Sequence, residues 1–313
     1  MWVNCERGYT SSTYTPALCG SAPCRLLNTT GCTTATSCKP PVPDCYNNTC
    51  GHSPVNPIAK TSTGGQLGAD VFKIHSTDWS FTTFSTRSSG AVFFGNGPYT
   101  LLPNVDASSS LTYTPLIVNP VTENGFVGDA SPDYFIGVKS IKVNGKRVKG
   151  FKQSLLSINS KGKGGTMIST VHPYTVMETS IYKGVVSAFV KAMPKNVEKV
   201  PNVPPFGACF SSKNIVSTRL GPGVPSIDLE LESKNVWRIN GANSMVEVKK
   251  NVLCLGFVEA RRDIAPTISV VIGGHQIEDN LLQFDLSKSR LGFSSSLLGR
   301  STSCANFNFT STA

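Results

Sequence analysis

Residues 272–293 read Ile-Gly-Gly-His-Gln-Ile-Glu-Asp-Asn-Leu-Leu-Gln-Phe-Asp-Leu-Ser-Lys-Ser-Arg-Leu-Gly-Phe and form the most informative segment of the chain. Two predicted strands, Ile268–Ile272 and Leu281–Leu286, lie on either side of a Gly-Gly turn. Short apolar runs separated by glycine are typical of strands joined by turns rather than of helices. The segment therefore predicts β-sheet structure at this end of the chain.

The rest of the chain repeats this pattern and contains one convincing helix. Further predicted strands are Leu111–Val118, Tyr134–Val143, Ser226–Leu231, Val236–Ile239 and Val252–Val258. Tyr134–Val143 alternates with period two and leads into Asn144-Gly145, a hairpin signal. Apolar residues at helical spacing predict the helix over Thr175–Met193. One helix among many strands predicts an all-β fold, with a sandwich or barrel architecture.

The composition agrees with this fold class and narrows the possible partners. The 313 residues suggest roughly two domains. They include 29 Lys plus Arg against 19 Asp plus Glu, a net charge of +10 that attracts acidic partners. The densest basic run is Lys139–Lys152, but no arginine-rich block, zinc finger or RNA-recognition motif occurs, so we expect no nucleic-acid partner. No apolar run approaches about 18 residues, so we expect no membrane partner.

Cysteine usage indicates an oxidising compartment. Six of the ten cysteines lie between Cys19 and Cys50, without the CxxC spacing of a zinc site. We therefore expect three local disulfides, in one of fifteen arrangements, and no metal site. Glycosylation sequons start at Asn28, Asn47 and Asn308. The chain starts Met-Trp-Val-Asn-Cys without a signal peptide, so we expect either a mature fragment or a gene model that has lost its first exon, and we favour the second.

Several segments resemble the pepsin-like (A1) aspartic proteinases of plants. Trp2-Val3-x-Cys5 is similar to the strand after the first catalytic aspartate, and Gly65-x-Leu67-x-x-Asp70-x-Phe72 to half of the flap hairpin. Gly164-Gly-Thr-Met-Ile168 resembles the strand that carries the second catalytic aspartate. Residues 272–293 match the C-terminal lobe of the same family.

A closer resemblance is to the catalytically inactive branch of that family, which comprises extracellular dermal glycoproteins, basic 7S globulins and xylanase inhibitors. The segments that carry it are Thr170–Tyr182, Phe206–Phe210, Ser217–Gly221, Gly273–Asn280 and Cys304–Thr310. This resemblance implies a pepsin-like, two-lobed β-protein of the plant cell wall that binds microbial glycoside hydrolases. The resemblance implies no cofactor.

The resemblance also implies that part of the first lobe is missing. A truncated, Cys-rich N-terminal lobe is expected over residues 1–110 and a C-terminal lobe, like that of xylanase inhibitors, over residues 111–313. Too few residues separate the flap region, which ends near Trp79, from the segment at Ser85–Gly97.

The implied disulfides follow from the same resemblance. Cys209 and Cys254 are expected to pair within the C-terminal lobe. Cys5 and Cys304 are expected to lack their usual partners, which lie in the missing segment of the family.

Catalysis of the aspartic-proteinase type needs two carboxylates that share a proton, each in an Asp-Thr/Ser-Gly motif. None of the ten aspartates here is followed by Thr-Gly or Ser-Gly, and Ser169 occupies the second aspartate position. The half-flap also lacks a tyrosine. His172 is the nearest base to Ser169, but no GxSxG elbow surrounds that serine. We therefore expect no catalytic residue and no enzyme activity.

A protein without catalytic residues can still bind an enzyme. Glycoside hydrolases use paired carboxylates, with which an arginine guanidinium pairs bidentately. Arg219 lies in a turn bounded by Gly and Pro, and Arg300 follows Gly299 after the last strand. The family resemblance points to the same two loops, so Arg219 and Arg300 are our partner-binding candidates. Arg261-Arg262 is a weaker third candidate.

Two other functions stay open. One is an aspartic endopeptidase, which rests on fold alone. The other is a storage or wall protein like the basic 7S globulins. We favour an extracellular inhibitor of a secreted microbial endoglucanase or xylanase.

Overall fold

The computed structural model describes residues 14–26, 31–34, 47–52, 55–56, 61–62, 65–69, 92–93, 97–121, 131, 133–260 and 268–307. The chain forms two compact units, residues 1–77 and residues 78–313. Among the described residues, no helix combines the length and the apolar character needed to cross a bilayer. The predicted lobe boundary after residue 110 stays a prediction.

Short strands and disulfides build the described part of the first unit. Its elements are β1 (Thr15–Pro16), α1 (Ala22–Leu26), β2 (Cys32–Thr34), β3 (Asn47–His52), β4 (Val55–Asn56), β5 (Thr61–Ser62), β6 (Gly65–Gln66) and β7 (Gly68–Ala69). Disulfides join Cys19 to Cys32 and Cys24 to Cys50. Cys24, Cys50 and Ala17 are buried together. Two of the clustered cysteines, Cys38 and Cys45, lie outside the described residues.

The second unit is built mainly from strands. They are β8 (Thr100–Leu101), β9 (Val105–Asp106), β10 (Thr112–Ile117), β11 (Tyr134–Ile136), β12 (Val138–Val143), β13 (Lys146–Arg147), β14 (Thr166–Ile168), β15 (Thr175–Met177), β16 (Lys199–Val200), β17 (Cys209–Ser211), β18 (Ser217–Thr218), β19 (Gly221–Pro222), β20 (Ile227–Leu231), β21 (Val236–Ile239), β22 (Met245–Lys249), β23 (Val252–Leu255), β24 (Phe257–Glu259), β25 (Val270–Ile272), β26 (Asn280–Asp285) and β27 (Arg290–Ser296). The α-helices of this unit are α2 (Thr179–Ala192), α3 (Gly241–Ser244) and α4 (Gly274–Ile277). The all-β prediction is confirmed.

In the described part of this unit, three sheets have four or more strands. The largest has the order β24-β15-β25-β14-β11-β10-β27-β26, and the other two have the orders β13-β12-β20-β21 and β16-β17-β23-β22. Helix α2 buries Ile181, Val185 and Phe189 in one core with side chains such as Ile141 and Trp237 of the four-stranded sheet β13-β12-β20-β21. A second core forms around Leu101, Ala107 and Leu297, so residues before 110 pack against the C-terminal end of the same unit.

The predicted helix over Thr175–Met193 was wrong at its start. Residues Thr175–Met177 form β15, whose Thr175 N–H and hydroxyl both donate to Gln276 Oε1 at 2.7 and 2.8 Å. The helix begins at Thr179 because the Glu178 side chain accepts from Ser180 N–H and caps it. The helical spacing of apolar residues in the sequence runs across Glu178, so it did not indicate that the helix starts after this residue.

The predicted strand Tyr134–Val143 is two strands that join different sheets. Gly137 lies between the two strands, where β11 ends and β12 turns towards β20, and the Glu232 carboxylate lies against it: a Cβ there would be 2.7 Å from Glu232 Oε2. The predicted Asn144-Gly145 hairpin turn is present, with φ angles of 48° and 76° that suit these residues. The predicted strand Val252–Val258 is likewise divided at Gly256 into β23 and β24.

Candidate functional site

Arg219 stands at the tip of a two-stranded hairpin. Strands β18 and β19 pair across it, and Gly223 N–H donates to Val216 O at 2.7 Å below them. The Thr218 hydroxyl donates to Gly221 O at 2.7 Å and accepts from Leu220 N–H at 3.2 Å. These local bonds fix the backbone on both sides of Arg219 while its side chain stays exposed.

The hairpin is anchored to α3, which limits its movement. Ala242 N–H donates to Leu220 O at 2.8 Å. Gly221 has a φ of +88°, and a Cβ there would lie 2.3 Å from Ala242 N. Only glycine can combine this positive φ with so close an approach to Ala242. This explains the glycine in the Leu-Gly-Pro sequence after Arg219.

Arg300 ends a short 3₁₀ helix that spans Leu297–Arg300. Leu297 is buried and holds this helix on the core, while the Arg300 side chain is exposed. Ser301 follows in the left-handed conformation, with φ of 61°. The buried Thr302 then donates its hydroxyl to Leu102 O at 2.6 Å, which fixes the chain after the helix.

The structure brings the two predicted arginine loops together. Arg219 Nη1 donates to Ser301 Oγ at 3.0 Å, although these residues are 82 positions apart. A Cβ placed on Gly299 would lie 3.6 Å from Leu220 Cδ2, so the leucine side chain lies against Gly299. We call the surface formed by Arg219, Leu220, Gly299, Arg300 and Ser301 the arginine site. The sequence carried no signal for the contact of Arg219 with Ser301.

Asp106 is the described carboxylate whose pKa responds to Arg300. Its pKa is lowered mainly by the hydrogen bond from the Ser108 hydroxyl, then by the N–H groups of Ser108 and Tyr99, and finally by the charge of Arg300. Asp106 also lines a polar cavity of about 400 Å³, together with Lys288.

At the position that resembles a catalytic aspartate, Ser169 has its hydrogen-bonding capacity filled by its own loop. Its Oγ lies 3.0 Å from His172 Nδ1 and accepts from the N–H groups of Val171 and His172 at 3.2 and 3.3 Å. Ser169 N–H donates to Ile272 O, which ties the end of β14 to β25. A serine hydroxyl has one donor and two acceptor positions, so this arrangement uses all three.

The serine and histidine of this loop are close together, as a nucleophile and its base would be. Burial lowers the pKa of His172, which favours the neutral imidazole that accepts the Ser169 proton. In the described part of the chain, no carboxylate bonds the other nitrogen of His172, and two backbone N–H groups occupy the Ser169 oxygen. The geometry fits a closed turn better than an activated nucleophile.

Other predicted site residues are distributed as follows. Cys209 and Cys254 form a disulfide between the paired strands β17 and β23. Asn47 begins β3, whereas the sequons at Asn28 and Asn308 lie outside the described residues. The same holds for Cys5 and for Arg261-Arg262. The expected state of Cys5 and Cys304 stays a prediction.

Comparison with known proteins shows similarity over most of the chain. The family model for the xylanase inhibitor N-terminal region matches residues 1–110, and that for the xylanase inhibitor C-terminal region matches residues 133–295. A Nicotiana benthamiana protein named "Probable aspartic proteinase GIP2" is 48% identical over 375 aligned positions, covering 100% of this chain and 84% of that protein. The basic 7S globulin of Glycine max is 32% identical, covering 99% and 83%.

The alignment with the Nicotiana protein has 375 positions, more than the 313 residues of this chain. That relative therefore has residues without a counterpart here. Their expected position in the first lobe stays a prediction.

Solved structures agree with the sequence comparison. The crystal structure of edgp has a TM-score of 0.86 and 45% identity, covering 99% of this chain and 89% of that one. The crystal structure of basic 7S globulin from soybean has a TM-score of 0.70 and 30% identity, covering 98% and 89%. The chain therefore belongs to the xylanase inhibitor-like branch of the pepsin-like (A1) aspartic proteinases, whose members are typically inactive as proteinases.

Proposed function

We propose that this protein is a non-proteolytic inhibitor of a secreted microbial glycoside hydrolase, an endoglucanase or a xylanase, and that the arginine site binds the enzyme. The single observation that carries the proposal is the contact of Arg219 with Ser301, which holds two exposed arginines on adjacent loops. The match to xylanase inhibitor family models supports the same class of partner.

The chemistry of the partner suits a pair of arginines. A glycoside hydrolase places two carboxyl groups on either side of the scissile bond, in a cleft open to its substrate. A guanidinium remains charged at any relevant pH and pairs bidentately with a carboxylate. Arg219 uses Nη1 for Ser301, so its remaining N–H groups are directed to a partner in this proposal.

Rigidity of the two loops also favours binding. Leu220 is tied to α3 through Ala242, and Thr302 is tied to Leu102. Loops that are already ordered lose little conformational entropy when a partner binds. A long arginine side chain on a fixed loop is also the kind of residue that dominates protein interfaces.

The proposed site of action is the plant cell wall. Disulfides persist in oxidising compartments such as the extracellular space, and three lie within the described residues of this chain. A microbial hydrolase that attacks wall polysaccharides would be met in the same place.

The experiment is a titration of the purified chain against a panel of fungal endoglucanases and xylanases, with hydrolysis of xyloglucan and xylan as the readout. We expect stoichiometric inhibition of at least one enzyme. A chain that is folded by circular dichroism yet inhibits none of them contradicts the proposal. A full-length relative in parallel tells whether extra first-lobe residues are required.

A storage function is the second candidate, because several relatives are named conglutin or basic 7S globulin. It predicts accumulation in seed and no inhibition of any hydrolase. Induction by wounding instead, together with inhibition, favours the first candidate.

A further inference from the structure

The dense basic run of the sequence lies on β12, on β13 and in the segment that follows β13. Its cations are Lys139, Lys142, Lys146, Arg147, Lys149 and Lys152. They alternate with buried side chains: Ile141, Val143 and Val148 enter the core and hold the backbone in place. All of these cations except the half-buried Lys142 are exposed.

The carboxylates of the neighbouring strand β20 already form ion pairs within the sheet. Lys142 Nζ lies 3.2 Å from Glu230 Oε2, and Arg238 Nε lies 2.8 Å from Asp228 Oδ1. The Ser140 hydroxyl, followed by Lys142, lowers the pKa of Glu230, so this acid stays charged and paired.

The remaining five cations have no carboxylate within ion-pair distance in the described part of the chain. They are Lys139, Lys146, Arg147, Lys149 and Lys152, and we call this surface the basic face. Within it, the hairpin turn at Asn144-Gly145 carries Lys146 and Arg147 out into solvent. Exposed like charges at this density repel one another, which favours a ligand that neutralises them.

The types of residue on the basic face restrict the ligand. The four lysines provide mobile, hydrated point charges, which match repeated anionic groups without reading their shape, and Arg147 adds a guanidinium that pairs with carboxylates. Between residues 138 and 160, no large apolar side chain is exposed. A stack of nucleic-acid bases needs aromatic platforms, and insertion into a membrane surface needs an exposed apolar face.

We propose that the basic face binds a linear polyuronate, an acidic polysaccharide with a carboxylate on each sugar. Its charges repeat along a flexible chain, and the cations of the basic face lie side by side, because Val148 N–H donates to Ile141 O at 2.9 Å and Gln153 Nε2 donates to Lys139 O. The disulfides of the chain indicate an extracellular location, where such polysaccharides are the abundant linear polyanions. This inference is independent of the arginine site.

The probe is de-esterified polygalacturonate, with fully methyl-esterified pectin as its uncharged counterpart. The variant is the triple substitution Lys146→Gln, Arg147→Gln, Lys149→Gln. The matched control is Lys195→Gln, Lys213→Gln, Lys250→Gln, which removes the same charge from other exposed positions. Thermal unfolding of both variants verifies that they fold like the wild type.

We expect wild type to bind polygalacturonate, with affinity falling as salt rises from about 50 to 200 mM. The variant Lys146→Gln, Arg147→Gln, Lys149→Gln should bind polygalacturonate about tenfold or more weakly than wild type. The control variant should stay within about threefold of wild type. The methyl ester should bind far more weakly than the acid.

Four results would overturn the proposal. They are no binding of polygalacturonate by wild type, equal losses in the two variants, equal binding of the methyl ester, or tighter binding of double-stranded DNA or of anionic lipid vesicles than of polygalacturonate.

Discussion

The Arg219 guanidinium donates to the Ser301 hydroxyl at 3.0 Å, and this bond joins the two loops of the arginine site. Ser301 adopts a left-handed φ of 61°, a conformation that non-glycine residues adopt uncommonly. The backbone thereby directs the hydroxyl towards Arg219 immediately after Arg300. Ser301 is a positioning residue in the proposed function.

We predict that Ser301→Gly weakens inhibition by about three- to tenfold, because one hydrogen bond is worth about 0.5–1.5 kcal/mol. Glycine retains the left-handed backbone and removes only the hydroxyl. Ser301→Asn is the matched control, since asparagine tolerates this backbone and offers an acceptor. The asparagine variant should stay within about threefold of wild type.

A double-mutant cycle separates positioning from a general loss of structure. In the Arg219→Ala background, Ser301→Gly should have almost no further effect, because its partner is gone. In the Arg300→Ala background, it should have its full effect. Equal effects in both backgrounds would remove Ser301 from the account.

We predict that His172 makes stability depend on pH. Burial lowers the pKa of His172 in the folded chain below the ordinary value of 6.5. Below pH 6.5 the unfolded chain therefore binds a proton that the folded chain resists, so stability falls as pH drops towards the folded pKa. Denaturant unfolding at pH 7 and pH 5 should show a smaller loss for His172→Gln than for wild type. An equal or larger loss in the variant would contradict this.

We predict that Cys209→Ala with Cys254→Ala lowers the free energy of unfolding by about 3–4 kcal/mol, because the disulfide closes a loop with a sequence separation of 45. Both cysteines are fully buried beside Phe206, so repacking adds to the loss. Urea denaturation of the variant and wild type measures it. A loss below about 1 kcal/mol would show that packing alone holds β17 to β23.

We predict no proteolysis by the purified chain on denatured protein substrates at acid pH, with or without pepstatin. A hydroxyl at position 169 cannot replace a carboxylate of the acid dyad, and its hydrogen bonds are already filled. Pepstatin-sensitive cleavage would restore the endopeptidase hypothesis. Cleavage that resists pepstatin and disappears in Ser169→Ala would point instead to serine chemistry with His172.

Short-range sequence patterns predicted much of the fold. The Asn144-Gly145 dipeptide predicted its hairpin because both residues accept positive φ angles at low cost. The helix start at Thr179 was missed because apolar spacing continues through β15, and Glu178 is a less usual capping residue. The division at Gly137 depends on the different strands with which β11 and β12 pair, β14 and β20, and these partners are distant in sequence.

The arginine site was predicted as two separate loops and not as one surface. Arg219 and Arg300 were selected by turn residues and by family resemblance, both of which are local in sequence. The two loops form one surface because Leu220 lies against Gly299 and because a hydrogen bond joins Arg219 to Ser301, 82 positions away. No periodicity or motif encodes such a contact.

The most direct test of the central claim is the inhibition constant of wild type, Arg219→Ala and Arg300→Ala against the most strongly inhibited hydrolase at moderate salt. Arg147→Ala, an exposed arginine of the basic face, is the control. We predict losses of about 2–5 kcal/mol for Arg219→Ala and for Arg300→Ala, more than about 25-fold each, and less than about threefold for Arg147→Ala. Inhibition by wild type that neither Arg219→Ala nor Arg300→Ala weakens more than about threefold would contradict the account.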